Sequence, residues 1–428
     1  MKVLFISANT ERLNMVTIPL GLGLVCAAAR SAGHEVAFLD LLSEADPRGG
    51  VRRAVTSWAP DVIAISVRNI DDQCRANPRF LLEPVRDVVE ECRRVSSAKV
   101  VLGGAGYSIF PREALAFLGV DYGIAGDGEA AFVALLERLA AGRSPADVAG
   151  LYTAGGPPKV VRAHSRDLDL LPLWDEALAP APANELWIPV QSRRGCPNDC
   201  SYCSTSRVQG RRIRRRSPRR VVEVIRRLAR AGHRHFYFVD NSFNIPERHA
   251  FELCAALAAV DPPVIWRCIL YPERVREDLV QAMAAAGCRE VSLGFESGCL
   301  RILQEMNKRF TPEDVRRTSD LLAAHGIRRL GFLLLGGPGE TQESVEESLA
   351  FARSLRLDDL RITVGIRIYP GTPLARRAVA EGVIASEEEL LQPSFYLAPG
   401  LEPWIHARVA ATEAGLRGSA PEAPASTS

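Results

Sequence analysis

Lysine is almost missing from this chain. Among 53 basic residues it stands only at Lys2, Lys99, Lys159 and Lys308, and arginine supplies the rest. Alongside abundant alanine, that bias reads as coding composition rather than as a binding surface. The net charge of +2 argues neither for nor against a nucleic-acid partner. Long apolar runs are also missing. The chain is 47% hydrophobic, yet no stretch is long enough to span a bilayer. Met1 to Ser7 reads as a strand from the start rather than a secretory leader, so a cytoplasmic location is expected. Histidine is scarce, at seven residues. The ten cysteines are then better read as ligands and core residues than as disulfides. A length of 428 residues allows two or three domains.

The chain's organising stretch is Gly195-Cys196-Pro197-Asn198-Asp199-Cys200-Ser201-Tyr202-Cys203. Three thiolates at C-x-x-x-C-x-x-C spacing can converge on one iron–sulfur cluster and leave a fourth iron open. Zinc would call for a nearby fourth ligand. The next candidates, His233 and His235, fall in an expected helix-to-strand turn. The spacing, with an aromatic residue before the third cysteine, resembles the radical S-adenosylmethionine (radical SAM) enzymes. That resemblance implies a 4Fe-4S cluster on Cys196, Cys200 and Cys203. S-adenosylmethionine would bind the open iron, with Tyr202 beside its adenine.

Upstream, apolar runs at Lys2–Ser7, Glu35–Asp40, Asp61–Val67, Lys99–Gly103 and Asp121–Ala125 alternate with helical patterns. Alternation of this kind predicts a parallel, doubly wound, Rossmann-like α/β sheet that binds ligands at its carboxyl edge. The loops expected there are Pro19-Leu20-Gly21-Leu22-Gly23, Arg68-Asn69, Gly103-Gly104-Ala105-Gly106-Tyr107-Ser108 and Gly126-Asp127-Gly128-Glu129. Singly, each is an ordinary tight turn. Together, ahead of the cysteine loop, they resemble the cobalamin-binding domain of the cobalamin-dependent radical SAM enzymes. Arg68, Asn69, Gly103, Gly104, Ser108, Gly126, Gly128 and Glu129 are the implied cobalamin contacts. The Asp-x-His-x-x-Gly signature that supplies a histidine to cobalt is absent. Arg68 is accordingly expected under or beside the cobalt, where a fixed positive charge would discourage lower ligation. The plain alternative for Arg68 is a helix cap or a pair with a carboxylate such as Asp71 or Asp72.

Past a stretch rich in Pro, Asp and Ala, six strand–helix units follow from Leu186 to Ile368, which suggests a partial (β/α)6 barrel. The expected division is 1–162 for the cobalamin-binding domain, 163–184 for a linker, 185–383 for the barrel and 384–428 for an extension with a disordered tail. Strand-end motifs in the barrel extend the resemblance. Asp240 would take the amino group of S-adenosylmethionine, although a strand-end cap is its plain alternative. Glu296 and Ser297 would lie near the ribose and methionine, and Gly336 and Gly339 in an adenine-side turn. Tyr369-Pro370-Gly371-Thr372-Pro373 matches the cobalamin-dependent subgroup. Cys254 and Cys288 read as core residues. Cys268 and Cys299 lie near strand ends, with packing the expected role for each. The basic run from Arg207 to Arg220 reads as the lead-in to a helix capped by Ser217. No aromatic platform accompanies it, so nucleic acid is not expected. Met306-Asn307-Lys308 reads as a helix ending without chemistry.

The resemblance implies a methyltransferase acting at an unactivated carbon with two S-adenosylmethionine per turnover. Its partners would be a small-molecule or natural-product substrate and an electron donor such as flavodoxin or ferredoxin. The alternative within the family is a cyclase or oxidoreductase without methyl transfer. A methylthiotransferase fits less well, because Cys26, Cys74 and Cys92 lack that group's spacing. A non-catalytic cofactor-binding protein is the reading from another class.

Overall fold

The computed structural model describes residues 1–12, 18–156, 161–174 and 186–418. The tail expected to be disordered falls largely outside those residues. The amino-terminal strands are β1 (Lys2–Ser7), β2 (Glu35–Asp40), β3 (Val62–Ser66), β4 (Lys99–Gly103), β5 (Tyr122–Ile124) and β6 (Leu151–Thr153). They form one sheet in the order β2-β1-β3-β4-β5-β6. The first five run parallel, and β6 returns antiparallel to β5. Val3, Leu4, Phe5 and Ile6 are all buried, as expected of a strand covered on both faces. The covering helices are α1 (Leu20–Ser31), α2 (Pro47–Trp58), α3 (Leu82–Val95), α4 (Ala105–Ile109), α5 (Pro111–Leu118) and α6 (Gly128–Ala140). The order of connections reverses between β1 and β3, and ligands settle in such crevices.

The second sheet comprises β7 (Ile188–Val190), β10 (His235–Phe238), β11 (Ile265–Leu270), β12 (Cys288–Glu296), β13 (Arg328–Leu335) and β14 (Asp359–Val364), all parallel and in sequential order. Between β7 and β10 lies a small antiparallel ladder of β8 (Arg193–Arg194) and β9 (Arg214–Arg215). The helices that follow in chain order are α7 (Thr205–Gln209), α8 (Pro218–Arg230), α9 (Glu247–Ala258), α10 (Glu277–Ala285), α11 (Leu300–Glu305), α12 (Pro312–Ala324), α13 (Gln342–Ser354) and α14 (Pro373–Ala380). Thr311 and Thr341 open α12 and α13 with capping boxes. Side chains alternate along the sheet. Phe236, Phe238, Trp266, Cys268, Val291, Leu293 and Phe295 are buried, while Tyr237, Arg267, Ser292 and Glu296 are half-buried on the opposite face. Cys254 and Cys288 lie in the core, as do Cys268 and Cys299.

Where it is described, the stretch expected as a linker is packed: Leu168 and Trp174 are buried, and Ala163 bridges Gly126. Apolar side chains spaced without periodicity still find a core when a second domain supplies it. Beyond Ile384 the chain forms β16 (Phe395–Tyr396), paired with β15 (Ile366–Arg367), and then α15 (Trp404–Gly418), with Ile405 buried.

Buried ion pairs join the two sheets. Arg194 meets Glu129 at 2.5 Å and Asp127 at 3.2 Å, and Arg214 also pairs with Asp127. Arg367 pairs with Asp71 at 2.7 Å. Removing one partner of a buried pair strands the other's charge, so these contacts fix how the domains meet.

Candidate functional site

The cysteine loop follows β7 and is held from three sides. Cys196 N–H donates to the Gly210 carbonyl at 3.0 Å, Ser201 N–H to the Met306 carbonyl at 3.0 Å, and Leu374 N–H to the Ser201 carbonyl at 2.9 Å. Gly195 has φ +97°, and a Cβ there would lie 2.2 Å from the Arg212 carbonyl oxygen, so only glycine lets the loop and β9 approach. Burial pushes the Cys196 and Cys200 thiols up from their ordinary values. Cys203 Sγ lies 3.3 Å from Thr205 Oγ1.

Beside the loop stands a charge cluster. Tyr202 donates its hydroxyl to Glu296 at 2.9 Å. Lys308 Nζ lies 3.1 Å from the same carboxylate and 5.3 Å from the Tyr202 ring centroid. The Lys308 side chain is only 5% exposed. Burial pulls its ammonium down, but Glu296 and Tyr202 outweigh burial and hold it well above its ordinary value. Glu296 occupies φ +63°, and the β12–β13 register shifts between Gly294 and Glu296. This irregularity re-aims the strand's last side chain toward the cysteine loop. Lys308 was not expected to take part. Its residue type was the available signal, because a lysine is unusual in a chain that otherwise uses arginine.

Several residues expected to touch cofactor are occupied within the protein. Asp240 is 1% exposed and accepts from Ser192 N–H at 2.9 Å, Ser192 Oγ at 2.5 Å and Arg193 N–H at 3.1 Å. These bonds make it a strand-end cap, the plain alternative for this residue. Ser297 is fully buried against Ser348 Oγ at 2.9 Å and accepts from Cys299 N–H. It joins the start of α11 to α13 instead of facing the loop. Ser108 donates to the Gly104 carbonyl and accepts from Gly126 N–H, tying two turns together. Glu129 belongs to the Arg194 pair described above. Gly126, at φ +104°, leaves a would-be Cβ 2.3 Å from the Ala163 carbonyl, and Gly128 leaves one 2.9 Å from Val25. Both glycines serve close packing. Gly103 ends β4, with only the Ile124 carbonyl within 4 Å of its would-be Cβ. Gly104, also at φ +104°, would place a Cβ 2.4 Å from the Val67 carbonyl, so the β4 loop lies directly on the loop that carries Arg68 and Asn69.

Gly336 and Gly339 form a turn at the end of β13, at φ +93° and +74°. Glu340 closes it by accepting from the Gly336 and Gly337 N–H groups. Its other oxygen is buried without a partner, and burial pushes the carboxyl up to about 7. The Gly339 carbonyl accepts from Arg301 at 2.7 Å.

Arg68 and Asn69 line an open recess with Ala8, Asn9, Thr10 and Glu11, at the point where the strand order reverses. Arg68 Nη1 is buried without a hydrogen-bond partner. The carboxylates that could have paired with it are taken, Asp71 by Arg367 and Asp72 by Arg79. Arg68 also lies within electrostatic reach of Tyr237 on the second sheet.

These residues fit the expected cofactors. Among the described residues no three His, Cys, Asp or Glu side chains close on a single-ion site. A cubane instead spreads three thiolates over separate irons. An unpartnered guanidinium beside an open recess suits a large ligand carrying amide and phosphate acceptors.

Residues 190–352 match the radical SAM superfamily and residues 6–136 match the B12 binding domain. The chain is 26% identical over 450 residues to cytidylyl-2-hydroxyethylphosphonate methyltransferase of Streptomyces wedmorensis, covering 89% of this chain and 81% of that protein. It is 24% identical over 438 residues to tryptophan 2-C-methyltransferase of Streptomyces laurentii, covering 86% and 73%. The fold resembles that of TsrM, a radical S-adenosylmethionine methyltransferase from Kitasatospora setae, in a structure with cobalamin and a [4Fe-4S] cluster bound. The TM-score is 0.82 at 22% identity, over 96% of this chain and 88% of that one. Among the described residues no helix is long and apolar enough to cross a membrane.

Proposed function

Because the chain joins a B12 binding domain to a radical SAM domain and so belongs to the cobalamin-dependent radical SAM enzymes, we propose that it methylates an unactivated carbon of a small-molecule substrate. One observation carries this reading. The cysteine loop with its Lys308–Glu296 pair and the Arg68 recess stand at the carboxyl edges of two sheets, with Arg68 within electrostatic reach of Tyr237 on the second sheet. When bound, the cluster and cobalamin supply reductive cleavage of S-adenosylmethionine and methyl transfer, chemistry that no side chain can perform.

The protein's own part is to hold and orient. Cys196, Cys200 and Cys203 hold the cluster as thiolates. Lys308 offers its ammonium to the S-adenosylmethionine carboxylate, and Glu296 accepts from the ribose hydroxyls. The Gly336–Gly339 turn presents main chain to the adenine. Arg68 would present its unpartnered Nη1 to cobalamin from the recess. A reducing interior such as the cytoplasm suits a cluster with an open iron.

The test is anaerobic incubation of the loaded enzyme with S-adenosylmethionine, followed by quantitation of S-adenosylhomocysteine and 5′-deoxyadenosine. Cobalamin-dependent S-adenosylhomocysteine is expected. Production of 5′-deoxyadenosine alone would favour the cyclase or oxidoreductase reading.

A further inference from the structure

The arginine run divides sharply in the structure. Arg214 and Arg216 are buried, Arg214 against Asp127 and Arg216 against the Leu171 and Pro172 carbonyls. Arg211, Arg212, Arg215 and Arg219 are exposed. Among the described residues none of these four has an ion-pair partner, although neighbouring Arg220 pairs with Glu223. Among the described residues their guanidinium groups make one hydrogen bond, from Arg211 to the Pro197 carbonyl inside the cysteine loop. Arg219 sits in the first turn of α8, which holds no acidic residue, so its charge opposes the helix dipole. Four unpaired like charges within nine residues repel one another, and nothing in the fold requires them there.

Their position supplies a reason. The strap that carries them packs against the cysteine loop, through Cys196 N–H to the Gly210 carbonyl and Gly195 close to the Arg212 carbonyl. Asp199, the acidic residue of the loop itself, is paired with Arg309. We propose that the exposed face formed by Arg211, Arg212, Arg215 and Arg219 is the docking surface for a small acidic electron-carrier protein that reduces the cluster. The inference rests on the reading that Cys196, Cys200 and Cys203 hold a reducible cluster. The exchange is one electron: the carrier is oxidised by one, the cluster is reduced by one, and no bond is made or broken. Unpaired arginines raise the encounter rate with an acidic partner without adding a large buried interface, which suits a carrier that must leave after each transfer.

The experiment measures cluster reduction in anaerobic, fully loaded enzyme by stopped-flow absorbance and electron paramagnetic resonance. Pre-reduced flavodoxin and titanium(III) citrate serve as separate reductants. For Arg211→Glu/Arg212→Glu/Arg215→Glu, reduction by flavodoxin at low salt is expected to slow about tenfold or more, while reduction by titanium(III) citrate is unchanged. The wild-type rate with flavodoxin is expected to fall as salt rises toward about 1 M, where the Debye length is about 3 Å. Equal flavodoxin rates in variant and wild type would overturn the proposal. So would an equal slowing by Arg230→Glu at the far end of α8, because net charge alone would then be responsible. If the triple variant does not fold, Arg212→Gln/Arg215→Gln must show the same selective slowing, smaller in size, or the proposal falls. Mixed-sequence RNA that binds wild type but not the variant, with flavodoxin rates unaffected, would reassign the surface to nucleic acid and also overturn it. Cluster reduction needs no methyl acceptor. A cluster that reduces normally yet yields no S-adenosylhomocysteine would therefore break the methyltransferase reading and leave the docking surface standing.

Discussion

The carboxyl edges of the two sheets look alike in sequence, with glycines, hydroxyls and acids at strand ends, but they distribute charge in opposite ways. At the first edge Asp71, Asp127 and Glu129 are paired with arginines of the second domain, while the half-buried cation Arg68 keeps one buried nitrogen unpartnered. At the second edge the cation Lys308 is paired with Glu296, while the thiols of the cysteine loop have no charged partner in contact. Acidic residues of the first edge build the seam, and the group left over is the one suited to a ligand. A polar side chain at a strand end is therefore not evidence of a contact. The better guide is a buried group whose hydrogen-bonding capacity the protein leaves unfilled.

Predictions that would break this contrast begin with the largest effect. Cys200→Ala should remove the cluster, so iron in the anaerobically purified protein should fall from about four per chain to background while cobalamin binding persists. Retained iron would mean that the thiol is not a ligand. Arg194→Ala strands the buried Glu129 carboxylate, Asp127 keeping Arg214, and should cost about 3–5 kcal/mol in chemical denaturation, with the first domain loosened from the second. A loss under about 1 kcal/mol would mean that the seam is held by apolar packing instead. Lys308→Met leaves Glu296 uncompensated beside Tyr202. It should weaken S-adenosylmethionine binding by about tenfold or more while iron content stays normal, as read by equilibrium dialysis.

A smaller effect belongs to Arg68. Arg68→Met should lower cobalamin retention during desalting and leave the cluster spectrum unchanged, since the recess and the cysteine loop lie on different sheets. The smallest concerns pH. Glu340 is pushed up from 4.5 to about 7 by burial, so the folded state binds more protons than the unfolded chain between those values. Its contribution to stability is complete below about 4.5 and is lost as pH rises through about 7. Glu340→Gln should remove that part of the pH dependence, flattening the melting temperature between pH 5 and pH 8 by an amount equivalent to about 1–3 kcal/mol. An unchanged slope would assign the dependence elsewhere.

The amino-acid sequence by itself determined the alternation of strand and helix, both parallel sheets and the cysteine loop. Each depends on local spacing: continuous apolar runs for strands covered on both faces, periodic runs for helices, and three thiols close along one loop. The grouping of Cys196, Cys200 and Cys203 on one loop was legible for that reason, whereas Glu296 was singled out by the family resemblance of its strand-end motif. Only the tertiary structure decided which strand-end groups remain available. Asp240 and Ser297 sit in motifs as suggestive as Glu296, but their partners Ser192 and Ser348 lie 48 and 51 residues away in the chain. The pairs Arg194–Glu129 and Arg367–Asp71 span 65 and 296 residues. Lys308 becomes part of the site because α11 delivers it to a strand end that precedes it in the chain. Whether a charge is paired depends on distance in space, and local sequence carries no record of the long-range contacts that set it.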